Sequence, residues 1–263
     1  MNGAPVAPLF VPGHRPDRFA KAAASGADAV IIDLEDAVPP EEKEAARRAA
    51  AGACLPGIRV LVRVNASGTP WHAEDLAALS GAGVGGIVLP KAEDPAGMAT
   101  IRALLPEDGL AVALIESARG LAAARELARA AGCLAFGSMD FAADLGCAHT
   151  RDALLMARLE LVLASRLAGL PAPLDGVTAT IGDDALVEDD ARHAAGLGFG
   201  GKLLIHPRQV APALRGFAPG EDEVAWARRV LATGGDGAEK VDGMMIDAPV
   251  RMRAARILAR AGG

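Results

Sequence analysis

The sequence predicts an α/β fold of the (β/α)8 TIM-barrel class. Eight short apolar runs rich in β-branched residues alternate with eight stretches rich in Ala, Leu, Arg and Glu. Strands that alternate with helices favour parallel strands joined by right-handed crossovers, and eight such units favour a closed barrel. A doubly wound open sheet is the alternative. The turn VPGHRP after the first run lacks the GxGxxG pattern that would favour that alternative.

The elements follow in order along the chain. Each predicted strand is a short apolar run between turn signals, which is typical of a buried strand. These runs are Ala7–Val11, Ala29–Leu34, Val60–Val64, Gly86–Leu89, Ala111–Ile115, Leu134–Gly137, Val177–Ile181 and Lys202–Ile205. The intervening segments have helical composition. They are Asp17–Ala24, Glu41–Ala51, Ala73–Ser80, Pro95–Leu105, Gly120–Ala131, Ala153–Leu167, Ala185–Ala195 and Pro207–Leu214.

The alternation stops after Phe217. One more helix is predicted at Glu223–Leu231, followed by a glycine-rich joint, the segment VDGMMIDAP and a final helix that reaches about Arg260. A glycine-hinged tail of this kind is suited to act as a lid or a docking arm. We therefore expect a TIM barrel over residues 1–220 and a C-terminal helix and lid segment over residues 221–263.

Composition argues against several classes of protein. The 263 residues carry a formal net charge of −6 and contain no Tyr, so neither a basic stripe nor an aromatic stacking platform for nucleic acid is expected. No apolar run approaches the roughly 18 residues of a membrane span, and no signal peptide is visible. The three cysteines are widely spaced and form no CxxC motif. We expect a cytoplasmic protein that binds neither nucleic acid nor membrane.

Polar residues are concentrated where the predicted strands end. In a barrel of this class the active site lies at the carboxyl ends of the strands. Seven of the eight strands are followed by such residues, namely His14 and Arg15, then Asp33, Glu35 and Asp36, then Arg63 and Asn65, and then Lys91, Glu116, Asp140 and His206. One such residue is ordinary at a strand end, whereas seven strands ending this way indicate a polar site at one rim.

Glu116 and Asp140 are candidate ligands of a divalent cation. Each follows an apolar run, and the two runs are neighbours in the predicted barrel. Two carboxylates without His or Cys suit Mg²⁺ or Mn²⁺ rather than zinc. An alternative remains open on spacing alone, in which Glu116 pairs with Arg119 and Asp140 caps a turn.

Arg63 ends a buried strand and therefore needs an anionic partner. It is a candidate clamp for a substrate carboxylate or a developing enolate oxygen. The alternative is an ion-pair network with Asp33, Glu35 or Asp36. That acidic cluster would repel itself without nearby cations, so we expect it to hold metal-bound water or to position Arg63 and Lys91.

Eight motifs together resemble one family. They are LFVPGHRPDR, DAVIIDLEDAV, VLVRVN, GIVLPKAED, ALIESARG, LAFGSMDFAADLG, GFGGKLLIHPRQV and VDGMMIDAP. In this order they resemble the citrate lyase β-subunit-like acyl-CoA lyase family of the HpcH/HpaI aldolase superfamily. The resemblance implies a Mg²⁺-dependent carbon–carbon lyase that cleaves citryl-, malyl- or citramalyl-CoA to acetyl-CoA and a 2-oxo acid.

The resemblance also implies roles for particular residues. Glu116 and Asp140 match the metal ligands, with Glu116 also at the substrate, and Arg63 matches the arginine that binds substrate and stabilises the enolate. Asp247 matches a lid aspartate that acts as acid and base on the acetyl methyl group. The remaining matches are His14 and Arg15, which lie where relatives contact CoA or substrate.

The resemblance to this family also concerns the assembly and the residues before the first strand. In relatives that keep the lid, it closes over a neighbouring subunit, which implies a homotrimer or a dimer of trimers. Relatives often carry Arg-Ser before the first strand, where this chain has Ala7 and Pro8.

Other functions are compatible with the same residues. A malyl-CoA-type thioesterase or a CoA-free 2-oxo acid aldolase would use the same site. A subunit that acts only within a citrate lyase complex, and a barrel that only binds ligand, are further alternatives.

Overall fold

The fold is a closed barrel of eight parallel strands with helices around it. The computed structural model describes residues 3–233, 239–241 and 244–262. Each strand of the barrel pairs with the next along the chain. The strands are β1 (Pro8–Pro12), β2 (Ala29–Asp33), β3 (Arg59–Arg63), β4 (Gly86–Leu89), β5 (Leu110–Ile115), β6 (Cys133–Phe136), β7 (Leu174–Asp175) and β8 (Gly201–Lys202). The predicted TIM-barrel class is confirmed.

Hydrogen bonds between the first strand and the chain just after β8 close the barrel. Leu204 N donates to Pro8 O at 3.0 Å, and Phe10 N donates to Leu204 O at 2.8 Å. Side chains alternate between the two faces of each strand. Residues such as Ile31, Leu61 and Leu114 fill the barrel interior. Their chain neighbours pack outwards against the helices and form the larger core.

Helices follow the strands as the alternation predicted. Those of the barrel are α1 (Phe19–Ala23), α2 (Lys43–Ala51), α3 (His72–Leu79), α4 (Pro95–Leu104), α5 (Ala118–Ala122), α6 (Ala124–Ala130), α7 (Ser138–Leu145), α8 (Leu155–Leu167), α9 (Asp184–Leu197) and α10 (Val210–Phe217). Several of these helices begin at a residue whose side chain accepts a hydrogen bond from a free backbone N–H group. Asp94 begins α4, Ser117 begins α5 and Asp183 begins α9 in this way.

The seventh strand is not where the sequence predicted it. The prediction of Val177–Ile181 is wrong, because β7 comprises only Leu174 and Asp175. Leu174 is fully buried in the barrel interior, whereas the hydroxyl of Thr178 donates to Asp190. The β-branched threonines therefore belong to a polar loop, and the strand is formed around the buried Leu174, which follows Pro173.

The connection after β6 also differs from the prediction. Residues 138–145 form α7, a helix that was not predicted, and Asp140 lies in its first turn rather than at the end of a strand. The predicted helix at Gly120–Ala131 is divided into α5 and α6 at Ala123.

The C-terminal segment forms a separate small unit. Helices α11 (Glu221–Ala232) and α12 (Ala248–Ala261) pack together, and strands β9 (Glu239–Val241) and β10 (Met244–Ile246) pair antiparallel between them. Its own core comprises Ala227, Val230, Ile246, Ala254 and Ile257. Among the helices described, none has the length and apolar character needed to cross a bilayer.

Candidate active site

A cavity of about 420 Å³ opens at the carboxyl ends of the barrel strands. Arg63, Glu116 and Asp140 line it together, with Asp33 and Asp36 beside them. Much of the remaining wall is apolar, from residues such as Phe10, Leu114, Phe136, Val177, Leu203 and Ile205. The structure thus brings the three principal predicted residues to one cavity.

Arg63 is held in place by a network of carboxylates. In-register pairing of β2 with β3 sets Asp33 beside Arg63. The guanidinium Nε and Nη2 each donate to one carboxylate oxygen of Asp33, both at 2.7 Å, and Nη1 lies 3.1 Å from Glu35. Burial lowers the pKa of Arg63, but Asp33, Glu35 and Glu116 outweigh that effect and raise it. The ion-pair network that was the alternative for Arg63 is therefore present, and the side chain also reaches the cavity. Its role as a clamp for substrate stays a prediction.

Glu116 is a buried carboxylate, only 4% exposed. Its Oε2 accepts a hydrogen bond of 2.7 Å from the backbone N–H of Lys91. Burial and the negative charge of Glu35 raise its pKa to about 8. The side chain lies against Gly137, where an added Cβ would come within 2.2 Å of Glu116 Cγ. A glycine at the end of β6 therefore makes room for the carboxylate.

The donor set suits Mg²⁺. Within the part of the chain that the structure describes, no group of three or more His, Cys, Asp and Glu side chains is arranged to hold a metal ion. Two carboxylates, Glu116 and Asp140, face one cavity. Mg²⁺ commonly uses one or two carboxylates and completes its shell with water and substrate oxygens. A cation bound there would favour the ionised form of Glu116, whose pKa burial and Glu35 raise.

The acidic cluster after β2 contacts Arg63 and Lys91, the two cations that it was expected to position. Lys91 Nζ donates to Glu35 Oε1 at 2.5 Å. Lys91 also has a φ of 47°, a left-handed conformation that is uncommon outside glycine and is often found at functional sites. Its backbone contacts Glu116 while its side chain contacts Glu35, so one strained residue joins the acidic cluster to the metal-ligand candidate.

Lys43 was missed by sequence reasoning. It belongs to α2, away from any strand end, yet it is only 6% exposed. Its ammonium donates to Leu34 O at 2.8 Å, to Glu35 O at 2.9 Å and to Asn65 Oδ1 at 2.6 Å. Lys43 therefore fixes the loop that carries the acidic cluster.

His14 and Arg15 lie beside the cavity and are not among its lining residues. Arg15 pairs with Asp17 at 2.8 Å, and His14 Nε2 lies 3.7 Å from Glu42. His14 Nδ1 is buried and has no hydrogen-bond partner in the described structure.

A neighbouring cavity contains cations that the sequence analysis did not single out. It has a volume of about 610 Å³ and shares Phe10, Pro12 and Ile205 with the first. Arg18, Lys21 and Arg208 line it. The three-residue spacing of Arg18 and Lys21 at the start of α1 was a signal that could have identified them.

Asp247 lies apart from these residues. It begins α12, where its Oδ1 accepts from Val250 N at 3.1 Å, and it is exposed. The described lining of the cavity in the same chain does not include it.

Comparisons with known proteins identify the family. The HpcH/HpaI aldolase/citrate lyase family profile matches residues 7–207. A citrate lyase subunit beta-like protein of Mycobacterium tuberculosis is 40% identical over 265 residues, covering 97% of this chain and 94% of the relative. A (3S)-malyl-CoA thioesterase of Cereibacter sphaeroides is 35% identical, covering 96% of this chain and 93% of the relative.

Solved structures show the same similarity. The crystal structure of CitE from Mycobacterium tuberculosis in complex with magnesium, acetoacetate and coenzyme A superposes with a TM-score of 0.89 at 39% identity, covering 100% of both chains. A citrate lyase beta subunit from the same organism, complexed with oxaloacetate and magnesium, gives a TM-score of 0.74 at 38% identity, covering 83% of this chain and 100% of the other.

Proposed function

The chain belongs to the HpcH/HpaI aldolase/citrate lyase family of carbon–carbon lyases, and on that basis we propose that it cleaves a β-hydroxyacyl-CoA in a Mg²⁺-dependent reaction. The products are acetyl-CoA and a 2-oxo acid: pyruvate from citramalyl-CoA, glyoxylate from malyl-CoA, or oxaloacetate from citryl-CoA. The observation that carries the proposal is the meeting of Arg63, Glu116 and Asp140 in one cavity.

The reaction is a retro-Claisen cleavage through an enolate. Glu116 and Asp140 would hold Mg²⁺, which when bound would supply a Lewis acid for the substrate hydroxyl and the forming 2-oxo acid. Arg63, fixed by Asp33, binds the thioester oxygen and stabilises the negative charge that develops there. Because Asp33 and Glu35 already orient the guanidinium, little reorganisation accompanies the reaction.

The neighbouring cavity supports a CoA substrate. Arg18, Lys21 and Arg208 supply three cations beside the cavity that holds Arg63. Phosphate groups bind such clusters through charge-assisted hydrogen bonds. We place the phosphates of CoA there, with His14 and Arg15 near the passage to the acyl group.

Asp247 completes the proposed reaction by protonating the enolate carbon. Asp247 is not among the described residues that line the cavity of its own chain, which favours delivery by a neighbouring copy, in a homotrimer or a hexamer. The exposed position of Asp247 is compatible with such delivery.

A substrate panel tests this function. Citryl-, malyl- and citramalyl-CoA are assayed for 2-oxo acid release with and without Mg²⁺. Glu116→Gln and Asp140→Asn should each reduce release by 10²-fold or more, about 2.7 kcal/mol of transition-state stabilisation, and weaken Mg²⁺ binding measured by calorimetry.

Asp94→Asn is the matched control, because Asp94 is exposed, begins α4 and lies outside the cavity. It should retain both activity and Mg²⁺ binding. Full activity of Glu116→Gln or Asp140→Asn would contradict the metal assignment.

Thioester hydrolysis is a second candidate function. It is favoured by the similarity to the (3S)-malyl-CoA thioesterase. Release of free thiol and malate from malyl-CoA without a 2-oxo acid would support it over the lyase. Activity of the purified chain on free CoA thioesters would further argue against a role confined to a citrate lyase complex.

A further inference from the structure

Ser138 is a buried hydroxyl in the wall of the candidate active-site cavity. It is 1% exposed and is the first residue of α7, two positions before Asp140. Its Oγ lies 2.9 Å from Nε2 of His149. His149 belongs to the loop between α7 and α8 and is itself exposed. A hydroxyl and an imidazole therefore connect the cavity to bulk water.

The chain makes room for this contact. Gly176 follows β7, and a Cβ at that position would lie 2.1 Å from Ser138 Oγ. The carbonyl of Gly176 accepts a hydrogen bond from the buried ammonium of Lys202. Because Gly176 is fixed and lacks a side chain, the Ser138 hydroxyl can occupy the space beside His149.

The proposed cleavage leaves one proton without an acceptor. Arg63 is a permanent cation, and Asp247 is assigned to the enolate carbon. Neither takes the proton that the substrate hydroxyl must lose when the carbon–carbon bond breaks. A group that accepts this proton must reach the cavity and must exchange protons with water.

We propose that Ser138 and His149 form a proton relay that carries the hydroxyl proton of the β-hydroxyacyl substrate from the cavity to solvent. The inference rests on the proposed function and adds to it the acceptor of that proton. Ser138 contacts the substrate, and His149 acts through Ser138.

The proton and electron transfers balance. The substrate O–H bond breaks, its proton passes to Ser138 Oγ, and the proton of Ser138 passes to His149 Nε2. The electron pair left on oxygen forms the carbonyl of the 2-oxo acid, while the pair of the broken carbon–carbon bond forms the thioester enolate. Asp247 gives a proton to the enolate carbon, and His149 releases one to water.

The charges around His149 favour a neutral ring that can accept a proton. Burial lowers its pKa, and the cations Arg158 of α8 and Lys202 of β8 lower it further. Asp175 of β7 and Asp190 of α9 act in the opposite direction. The net pKa is below the ordinary value, so the ring is mainly neutral near pH 7.

Two half-reactions distinguish the relay from the rest of the site. Ser138→Ala, His149→Ala and His149→Gln are compared with the unaltered protein in 2-oxo acid release. The same proteins are compared in exchange of the acetyl-CoA methyl hydrogens with D2O in the presence of Mg²⁺. Exchange needs Arg63 and Asp247 but no substrate hydroxyl.

We expect 2-oxo acid release to fall by about 10²-fold in Ser138→Ala and His149→Ala, a typical contribution of general acid–base catalysis. The rate of methyl hydrogen exchange in these variants should stay within about twofold of that of the unaltered protein. The rate of 2-oxo acid release by the unaltered protein should rise with pH through the pKa of His149. This rise should be absent in His149→Ala. Because His149 is exposed, added imidazole should restore release to His149→Ala.

His193→Gln is the matched control. His193 lies on α9 and shares the neighbouring cation Arg158 with His149. Its pKa is also lowered by burial, but its side chain is not among those lining the cavity. It should keep the pH profile of the unaltered protein.

Two results would overturn the relay: an unchanged pH profile in His149→Ala, or a parallel loss of release and exchange in Ser138→Ala and His149→Ala. Absence of 2-oxo acid release from the unaltered protein would overturn the proposed function and the relay together.

Discussion

Glu116 shows how a single glycine can determine the position of a buried carboxylate. Its carboxylate is buried, accepts from Lys91 N and rests on the surface that Gly137 leaves open. Burial and the negative charge of Glu35 outweigh the cations Arg63 and Lys91, so the pKa of Glu116 rises to about 8. The side chain is thus held in one place, where a bound cation would favour its ionised form.

Gly137→Ala should therefore reduce activity more than it reduces stability. The new Cβ would lie 2.2 Å from Glu116 Cγ and displace the carboxylate. We expect Mg²⁺ affinity and 2-oxo acid release to fall at least tenfold, and the free energy of unfolding to fall by about 1–3 kcal/mol. Calorimetry, steady-state kinetics and urea denaturation measure these three quantities.

Gly146→Ala provides the comparison. Gly146 has a φ of 70° at the end of α7, and a Cβ there would meet no atom within 4 Å. It should cost about 1 kcal/mol of stability and leave Mg²⁺ affinity unchanged. Equal activity in the two variants would contradict the role given to Gly137.

Sequence reasoning located residues that directly follow a strand. Arg63 and Glu116 could be predicted because the barrel rule places every strand end at one rim. Lys43 and His149 could not be predicted in this way. Their roles depend on helix and loop residues that meet the rim only after the barrel has closed, and no local pattern marks such contacts.

At the scale of elements, β7 depends on buried charges as much as on strand pairing. It contributes only two residues to the sheet. Asp175 Oδ1 accepts from Arg158 Nε of α8 at 2.9 Å, and its Oδ2 lies 3.7 Å from Lys202 Nζ of β8. All three side chains are buried. This ion-pair cluster joins β7 to the next strand and to the helix that covers it.

Asp175→Asn should consequently destabilise the protein strongly. It would remove the negative charge between two buried cations, and such a loss typically costs 3–5 kcal/mol. Urea denaturation at neutral pH measures the change in the free energy of unfolding.

Glu160→Gln is the control for that experiment, since it removes an exposed ion pair with Arg125. Its expected cost is below about 1 kcal/mol. A similar small cost for Asp175→Asn would show that hydrogen bonding alone holds β7.

The predicted elements were wrong at β7 and at α7. Thr178 has the β-branched shape of a strand residue but binds Asp190 in a loop. The helix α7 was missed because its eight residues continue directly from the buried strand β6. The long amphipathic helices were predictable because burial repeats along them with a clear period, and strands β1 to β6 were predictable because each is a short apolar run between turn signals.

At the scale of the whole molecule, we propose that a neighbouring chain completes the site. The barrel supplies Arg63, Glu116 and Asp140, whereas Asp247 belongs to a small unit with its own core. Asp247 also begins α12, and asparagine is as good as aspartate at that position. Asp247→Asn can therefore remove the acid while keeping the helix.

Complementation between two inactive variants tests the sharing of sites. Glu116→Gln and Asp247→Asn, each inactive alone, are co-expressed with different affinity tags and purified through both. If a neighbouring copy supplies Asp247, about a third of the sites in a mixed homotrimer, or about a quarter in a mixed hexamer, should combine an intact barrel with an intact lid. Turnover per site measures the recovery.

Co-purification of two Glu116→Gln chains with different tags is the control and should give no turnover. Absence of recovery in the doubly purified mixture would place Asp247 in the site of its own chain instead. Sedimentation analysis of the same samples establishes whether the assembly is a trimer or a hexamer.

The hydrogen bonds that close the barrel affect how the chain folds during synthesis. One edge of β1 pairs with β2 early, but its other edge waits for Leu204, near the end of the barrel sequence. A ribosome will have made most of the protein before that edge is covered, and an uncovered strand edge can pair with other chains. The nascent protein is therefore most exposed to misassembly just before β8 emerges, when a chaperone would have the most to protect.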